Sequence, residues 1–540
     1  MRIGCQYTSA DAEIQHVMKD DGEKTMEWGT RVGVILAVAG SAVGLGNFLR
    51  FPAQAAAHGG GAFMIPYVCA LLFLALPIGW AEWAMARHGG ERGFHSGPAI
   101  MGVIGRGRIA RYFGVLSVLI PMVVYMYYVY IEAWCLRYAW EYLIGSVQLT
   151  GSIEEQVKTS AAFFGEATGT NTNGIMNLSA VFWVMVVMLN IVLVYRGLKG
   201  GIEKFCSFAL PAMAILAVVV LIRVLTLGTP NPAFPDRNVL NGLGYLWNPD
   251  FSKLTDFDTW LAAAGQIFFS VSVGFGVILN YASYLKRKDD VALSGFTATA
   301  TNEVFEVGFG GLITITAAFV FLGASGVGGG FGLGFQTLPV VFQQMGWAGR
   351  WIGFAWFFLL FLAAITSSIS MLQPAKAFFE EALGISSAKA ITAVSVICGL
   401  GSLWVIWFSK NTVALDTMDF WVGTFCIFLL ATVQIICFGW VWGLRAGTAE
   451  LDQGALMRIP RVFLFIMKYI APAYLLIVLA GFSYFNLGDK LRELSANPVA
   501  LYTMVIILAV VALLLAMVGI GERRWRAAGL DLDGANERQR

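Results

Sequence analysis

The sequence predicts an all-α membrane protein with twelve transmembrane helices, and three observations carry that prediction. Of 540 residues, 58% are hydrophobic and only 13% charged, about half the charge density of a soluble domain. The mean hydropathy is +0.70. The apolar residues fall in runs of about twenty, the length that crosses a bilayer as a helix. Twelve such runs are read at 32–54, 63–86, 112–146, 179–195, 205–226, 260–285, 298–323, 350–375, 390–409, 419–444, 462–485 and 499–520. They leave short loops, with no room for a catalytic domain, so the chain is not expected to be an enzyme.

Charge and cysteine usage narrow the classes further. The 36 Lys and Arg against 34 Asp and Glu give a net charge of +2, which excludes the bulk basicity of a nucleic-acid binder. Cys69, Cys135, Cys206, Cys398, Cys426 and Cys437 lie in apolar runs and only Cys5 in a polar one, so no disulfide framework is implied. The four His lie outside or at the edges of the spans, against a haem or a His-built metal site.

The segment 1–30 is polar and lacks the apolar core of a signal peptide, which makes span one itself the insertion signal. With both termini placed inside, the inner segments hold far more Lys and Arg than the outer segments. That asymmetry fits cytoplasmic termini. The longest outer loop, 147–178, is rich in Thr, Gly and Asn and reads as a mobile surface loop.

Span one carries Ala39-Gly40-Ser41-Ala42-Val43-Gly44-Leu45-Gly46-Asn47 at mid-membrane depth. Such a run lacks both helix propensity and bulk, so its backbone can unwind. Span six repeats the pattern as Ser270-Val271-Ser272-Val273-Gly274-Phe275-Gly276. The two lie five spans apart and so run in opposite directions. One glycine-rich span alone would be read as a close-packing seam. Two matched ones, flanked by Asn47, Gln266, Ser270 and Ser272, point to a transporter's midplane site between two inverted halves. Free carbonyls there suit a hard monovalent cation, and half-helix amino termini suit an anion.

Polar residues in other spans need a reason. Asn302, Glu303 and Glu306 lie in span seven, and Thr366, Ser367 and Ser368 in span eight. The hydroxyls alone would be read as bonding back to their own helix. A buried Glu306 needs a cation, a donor or a proton. Oxygen ligands without Cys or His clusters favour an alkali cation. Arg50 and Asp419 fall on the outer side, as snorkelling charges or as a gate across the cavity mouth. The run Gly328 to Gly334 has neither the Gly-Lys-Ser/Thr nor the βαβ context of a nucleotide loop, and Glu522 to Arg526 reads as a cytoplasmic anchor.

With these residues in view, the chain resembles the neurotransmitter:sodium symporter family, and within it the bacterial LeuT-type amino-acid transporters, over about Trp28 to Arg526. The motifs are Ala42-Val43-Gly44-Leu45-Gly46-Asn47-Phe48-Leu49-Arg50-Phe51-Pro52, Gly59-Gly60-Gly61-Ala62-Phe63, Tyr127-Tyr128-Val129-Tyr130, Gln266-Ile267-Phe268-Phe269-Ser270 and Thr366-Ser367-Ser368.

The resemblance implies a LeuT-type 5+5 inverted repeat with discontinuous helices 1 and 6. Its halves would be 31–227 and 228–445, followed by spans eleven and twelve in 446–520 and a cytoplasmic tail, 521–540. It implies a first sodium site at Ala42, Asn47, Ser270 and Asn302, completed by the substrate carboxylate. A second would use Gly40, Val43, Ala363, Thr366 and Ser367. The substrate carboxylate would lie near the Leu45 and Gly46 amides and the Tyr128 hydroxyl, and its ammonium near carbonyls of Ala42, Phe269 and Ser270. Its side chain would meet Val124, Phe269, Ser272, Phe275 and Met371, with Ser41 and Ser367 completing the lining.

Other positions follow from the same likeness. Glu306 falls where chloride-dependent members have Ser, which implies chloride independence. Arg50 with Asp419 would form the outer gate, and Trp28 the inner one, with Lys24 facing Glu381. The lack of an outer-loop Cys pair favours a prokaryotic cytoplasmic membrane.

The expected function is therefore sodium-driven uptake of a neutral, hydrophobic amino acid by alternating access, with Na+ as the coupling ion and the lipid bilayer as surroundings. An amino-acid sensor without transport and a sodium symporter for a small amine or osmolyte are the alternatives. Monomer and homodimer stay equally open.

Overall fold

The computed structural model describes residues 28–172, 174, 178–327 and 330–534, and the regular elements among them are all helices, with a single isolated bridge between Gly60 and Pro249. Ten helices are long and apolar enough to cross a membrane. An eleventh span is the pair Arg31–Ala42 and Gly46–Ala57, bent by 44° at its break. The segment read as span six is two shorter helices, Phe257–Val271 and Val277–Tyr281. By length and composition the count is thus ten or eleven rather than twelve, because the break that marks span six leaves neither piece long enough to qualify.

Spans three (Arg108–Ile144) and eight (Trp347–Leu383) form the buried axis, while spans four, five, eleven and twelve are only 33% buried over their apolar windows and form the periphery. Such a ring leaves apolar side chains outward, as lipid requires. The 37-residue span eight contains Pro374, and Gly384 in the left-handed region ends it.

Two outer segments are better built than the sequence suggests. Within the loop 147–178, a helix Ile153–Thr168 starts on a reciprocal capping box between Ser152 and Glu155. Ser160 Oγ donates to the Gln336 carbonyl at 2.7 Å, and Phe164 is buried. The loop between spans seven and eight likewise folds into helical turns from Leu333 to Gln344, with Phe335 wedged among Trp134, Tyr138 and Phe357. Residues 328 and 329 of the glycine run lie outside the described residues.

Two fully buried arginines pin the side that carries the segment after span twelve. Arg87 Nε donates to Glu450 at 2.7 Å and its Nη1 to the Asp289 carbonyl at 2.6 Å. Arg111 donates to Glu522 at 2.6 Å, Asp533 at 2.6 Å and the Leu532 carbonyl at 2.8 Å. A guanidinium without water needs such partners, which Arg87 finds for all three nitrogens and Arg111 for its two Nη atoms. Since Trp525 is buried against Phe94, the segment after span twelve is folded onto the body and does more than anchor.

Candidate functional site

The centre of the molecule is built by the two interrupted helices. Arg31–Ala42 ends at Val43 and the chain resumes helically at Gly46. Phe257–Val271 ends at Ser272, with φ +56°, and the next helix opens after Gly274 at φ +69° and Gly276 at φ +98°. Three left-handed residues within five cannot continue a right-handed helix, and glycine adopts that region at little cost. Carbonyl-rich helix ends and amide-rich helix starts therefore meet at one depth.

A cavity at this meeting point is lined by Ser41, Ala42, Gly44, Gly46, Tyr128, Phe269, Ser270, Ser272, Phe275, Ser367 and Met371. Its lining includes ten of the twelve substrate positions named from the sequence. Val124 is fully buried outside it, and Leu45 is near it only through the backbone, its amide donating to the Tyr128 hydroxyl at 3.1 Å. Gly44 was not named. A Cβ there would stand 2.8 Å from both Ser367 Oγ and Tyr128 Oη, so only glycine fits without displacing them.

Beside this cavity Asn47, Ser270, Asn302 and Glu306 form one buried network. Asn47 Oδ1 accepts from the Gly44 amide at 2.8 Å and its Nδ2 donates to Asn302 Oδ1 at 2.8 Å. Asn302 Nδ2 donates to Ser270 Oγ at 2.7 Å and Glu306 Oε2 at 3.1 Å. Gln266 Nε2 donates to Glu306 Oε1 at 2.7 Å, and the Ser270 hydroxyl donates to its other oxygen. Glu303 turns aside and accepts from the Tyr67 hydroxyl at 2.9 Å.

On span eight, Thr366 Oγ1 donates back to the Leu362 and Ala363 carbonyls, and Ser367 Oγ to Ala363 and, across the gap, to the Ser41 carbonyl at 3.1 Å. Gly40 packs against Thr366, and Val43 is buried in the same stretch. Ser272 Oγ reaches the same Ser41 carbonyl at 3.2 Å. One oxygen of span one thus ties spans six and eight.

The two ends differ from the sequence picture. Arg50 lies over the Phe269 ring at 4.6 Å, whereas Asp419 accepts from the Tyr127 hydroxyl at 2.7 Å. Among the described residues the two charges form no direct ion pair. Each is met by an aromatic residue instead, and a guanidinium gains by facing a ring.

At the inner end Trp28 Nε1 donates to the Tyr281 carbonyl at 3.0 Å, and Lys24 lies outside the described residues. Glu381 accepts from the Ser96 amide at 2.8 Å, which commits it to the loop after span two. In that loop burial pushes the His95 imidazole down to about 4, so a neutral ring stacks on Tyr284 at 4.2 Å.

Sequence reasoning passed over three carboxylates that matter here. Glu203 takes bonds from the Gly29 amide at 2.7 Å and Thr30 Oγ1 at 3.0 Å, fastening the start of span one to span five. Glu82 accepts from the Gly274 amide at 3.2 Å and from Gln434 at 2.7 Å, supporting the break in span six. Glu132 is fully buried in span three. Glu82 and Glu132 stand in apolar surroundings, the signal that singled out Glu306, whereas Glu203 lies between Lys199 and Lys204 and gives no such signal.

Comparison with known proteins matches this arrangement. The sodium:neurotransmitter symporter family matches residues 25–150 and 143–525. An uncharacterised sodium-dependent transporter of Methanocaldococcus jannaschii is 28% identical, over 77% of this chain and 82% of its own length. The sodium-dependent neutral amino acid transporter B(0)AT1 of Mus musculus is 26% identical over 58% of this chain and 48% of its own. The crystal structure of MhsT in complex with L-phenylalanine aligns with a TM-score of 0.73 at 27% identity, covering 84% of this chain and 99% of that one. The chain is a multi-pass membrane transporter rather than an enzyme, and it belongs to the sodium:neurotransmitter symporter family.

Proposed function

We propose that the protein couples inward sodium movement to uptake of a neutral, hydrophobic amino acid, without chloride, by alternating access at the cytoplasmic membrane of a prokaryote, with both termini inside. The observation that carries this reading is a cavity bounded by both broken helices, whose lining divides between apolar Phe269, Phe275 and Met371 and the polar groups at Gly46 and Tyr128. That division suits an amino acid with an uncharged side chain. The neutral amino acid transporter and the phenylalanine complex among the relatives point the same way.

In this reading sodium enters as cargo. One ion would be held by Ala42, Asn47, Ser270 and Asn302 with the substrate carboxylate, another by Gly40, Val43, Ala363, Thr366 and Ser367. Ion and amino acid then raise each other's affinity by the same factor. A negative interior adds about 2.3 kcal/mol per charge per 100 mV to the uptake direction. Glu306 supplies the fixed negative charge that makes chloride unnecessary. The halves 31–227 and 228–445 act as the inverted repeats, and spans one, two, six and seven rock against the rest.

Closure below depends on Glu203. The Glu203→Ala variant removes both acceptors that hold Gly29 and Thr30. Each bond to a charged group contributes about 1.5–3 kcal/mol, so the inner half of span one is expected to open at least about tenfold more often. Native Cys206, buried against Gly40, reports this by its labelling rate with a hydrophilic maleimide, read by mass spectrometry. An unchanged rate would remove Glu203 from the gate.

The decisive experiment is uptake of radiolabelled neutral amino acids into proteoliposomes, with sodium outside, inside or replaced by potassium. Accumulation only under an inward sodium gradient is expected. Sodium-dependent binding without accumulation would make the protein a sensor, and binding confined to amines or osmolytes would overturn the substrate class.

A further inference from the structure

Spans three, four and eight meet at a buried triad that the transport reading does not use. Glu132, Asn190 and Ser368 are all fully buried. Asn190 Nδ2 donates to the Val186 carbonyl at 2.9 Å and to the Glu132 carboxyl at 3.1 and 3.2 Å. Both of its N–H groups are then spent, and the Val186 bond fixes which way the amide points. Asn190 Oδ1 therefore faces Ser368 Oγ, 2.7 Å away, as an acceptor.

Ser368 Oγ is also 2.7 Å from Glu132 Oε2. A serine hydroxyl has one proton to give. Neither the amide oxygen nor the Ile365 carbonyl, 3.2 Å from the same hydroxyl, has a proton, so that proton goes to Asn190, the nearer of the two. The contact with Glu132 then needs a proton from the carboxyl itself, since two bare acceptors at that distance repel in a site without water. The count closes only as a ring in which Asn190 donates to Glu132, Glu132 to Ser368 and Ser368 to Asn190. No Lys, Arg or His pairs with Glu132 among the described residues. The nearby titratable side chains are Tyr125, Tyr128 and Cys135 of its own helix, with Cys398 of span nine beyond Tyr125.

We infer that Glu132, Asn190 and Ser368 form a built proton-binding site, in which a resident proton makes Glu132 a hydrogen-bond donor. All three members sit on spans outside the moving set, so the proton stays through the cycle. It lets a carboxyl group tie three helices together without placing a second net negative charge beside the Thr366 and Ser367 hydroxyls of span eight.

The test has one arm that reads the proton and one that reads transport. In infrared spectra at neutral pH with 13C-labelled glutamate, the protein is expected to show a protonated-carboxyl stretch that Glu132→Gln lacks. Ser368→Ala, which removes the acceptor of the Glu132 proton, should move that band. Glu132→Gln keeps a donor and an acceptor in the same places, so its uptake and sodium half-saturation are expected to stay within about twofold of the parent.

Absence of the band in the parent would overturn the proposal, and so would a rise of about tenfold or more in sodium half-saturation in Glu132→Gln, the mark of a lost fixed charge. If Glu132→Gln does not fold, the parent and Ser368→Ala spectra decide alone. The transport arm rests on the sodium reading above. The infrared arm does not, so failure of one is distinguishable from failure of the other.

Discussion

In chloride-free medium, uptake by a Glu306→Ser variant is expected to fall about a hundredfold and to recover when chloride is restored. The Glu306 carboxylate is met by amide donors from Gln266, Asn302 and Asn47, the last at 3.3 Å, and by the Ser270 hydroxyl. Ser is too short to reach them from span seven. Each buried donor left without an acceptor costs about 1–3 kcal/mol, and two such losses already amount to about a hundredfold. The sodium ligands Asn47, Ser270 and Asn302 in the proposed mechanism are the same groups, so their disorder falls on ion binding. Chloride is an acceptor of matching charge for the same donors. The check is radiolabelled uptake in gluconate against chloride media. A variant as fast as the parent in gluconate would mean that Glu306 does not supply the charge, and chloride independence would need another source.

Much of this centre was legible because breaking a helix in a membrane takes a conspicuous composition. Gly40, Gly44 and Gly46 in span one, and Gly274 and Gly276 in span six, are visible in the sequence, and the structure breaks both helices there. The same breaks take span six out of a count of helices made by length and hydropathy, which measure only unbroken helices.

Side-chain partners were less legible than positions. Arg50 and Asp419 were picked out as charges at the mouth, but which group each meets depends on rotamers of Phe269 and Tyr127 that no spacing encodes. The outer helix Ile153–Thr168 was missed because its few buried apolar residues, Phe164 among them, sit beside loop-like Gly and Thr, and Leu338–Gln344 because its apolar run is too short for a span and follows a glycine string. Glu82, Glu132 and Glu203 were missed for a different reason. Glu203 lies outside the run read as span five, between Lys199 and Lys204, and Glu82 and Glu132 find their partners far away in sequence, at Gln434 and Asn190.

The break in span six also sets the second large effect, because Gly276 is held by two separate constraints. Its φ of +98° lies where an L side chain costs about 1–2 kcal/mol. A Cβ at that position would also run into the backbone of Ser117, in the first turn of span three. Backbone cannot swing away as a flexible side chain can, and forced overpacking adds about 1–3 kcal/mol. The sum is a large share of the total margin of about 5–15 kcal/mol. Gly276→Ala is therefore expected to lower the thermal midpoint by size-exclusion assay and to abolish sodium-dependent uptake. Gly265 supplies the control within the same span, since a Cβ there meets only the Phe428 ring edge at 3.9 Å. It lies in regular helix, where Ala is the better helix former. Gly265→Ala should thus match the parent in both assays. If Gly276→Ala behaves like Gly265→Ala, the contact between the break and span three is not what holds the hinge, and the support must come from Glu82 through the Gly274 amide instead.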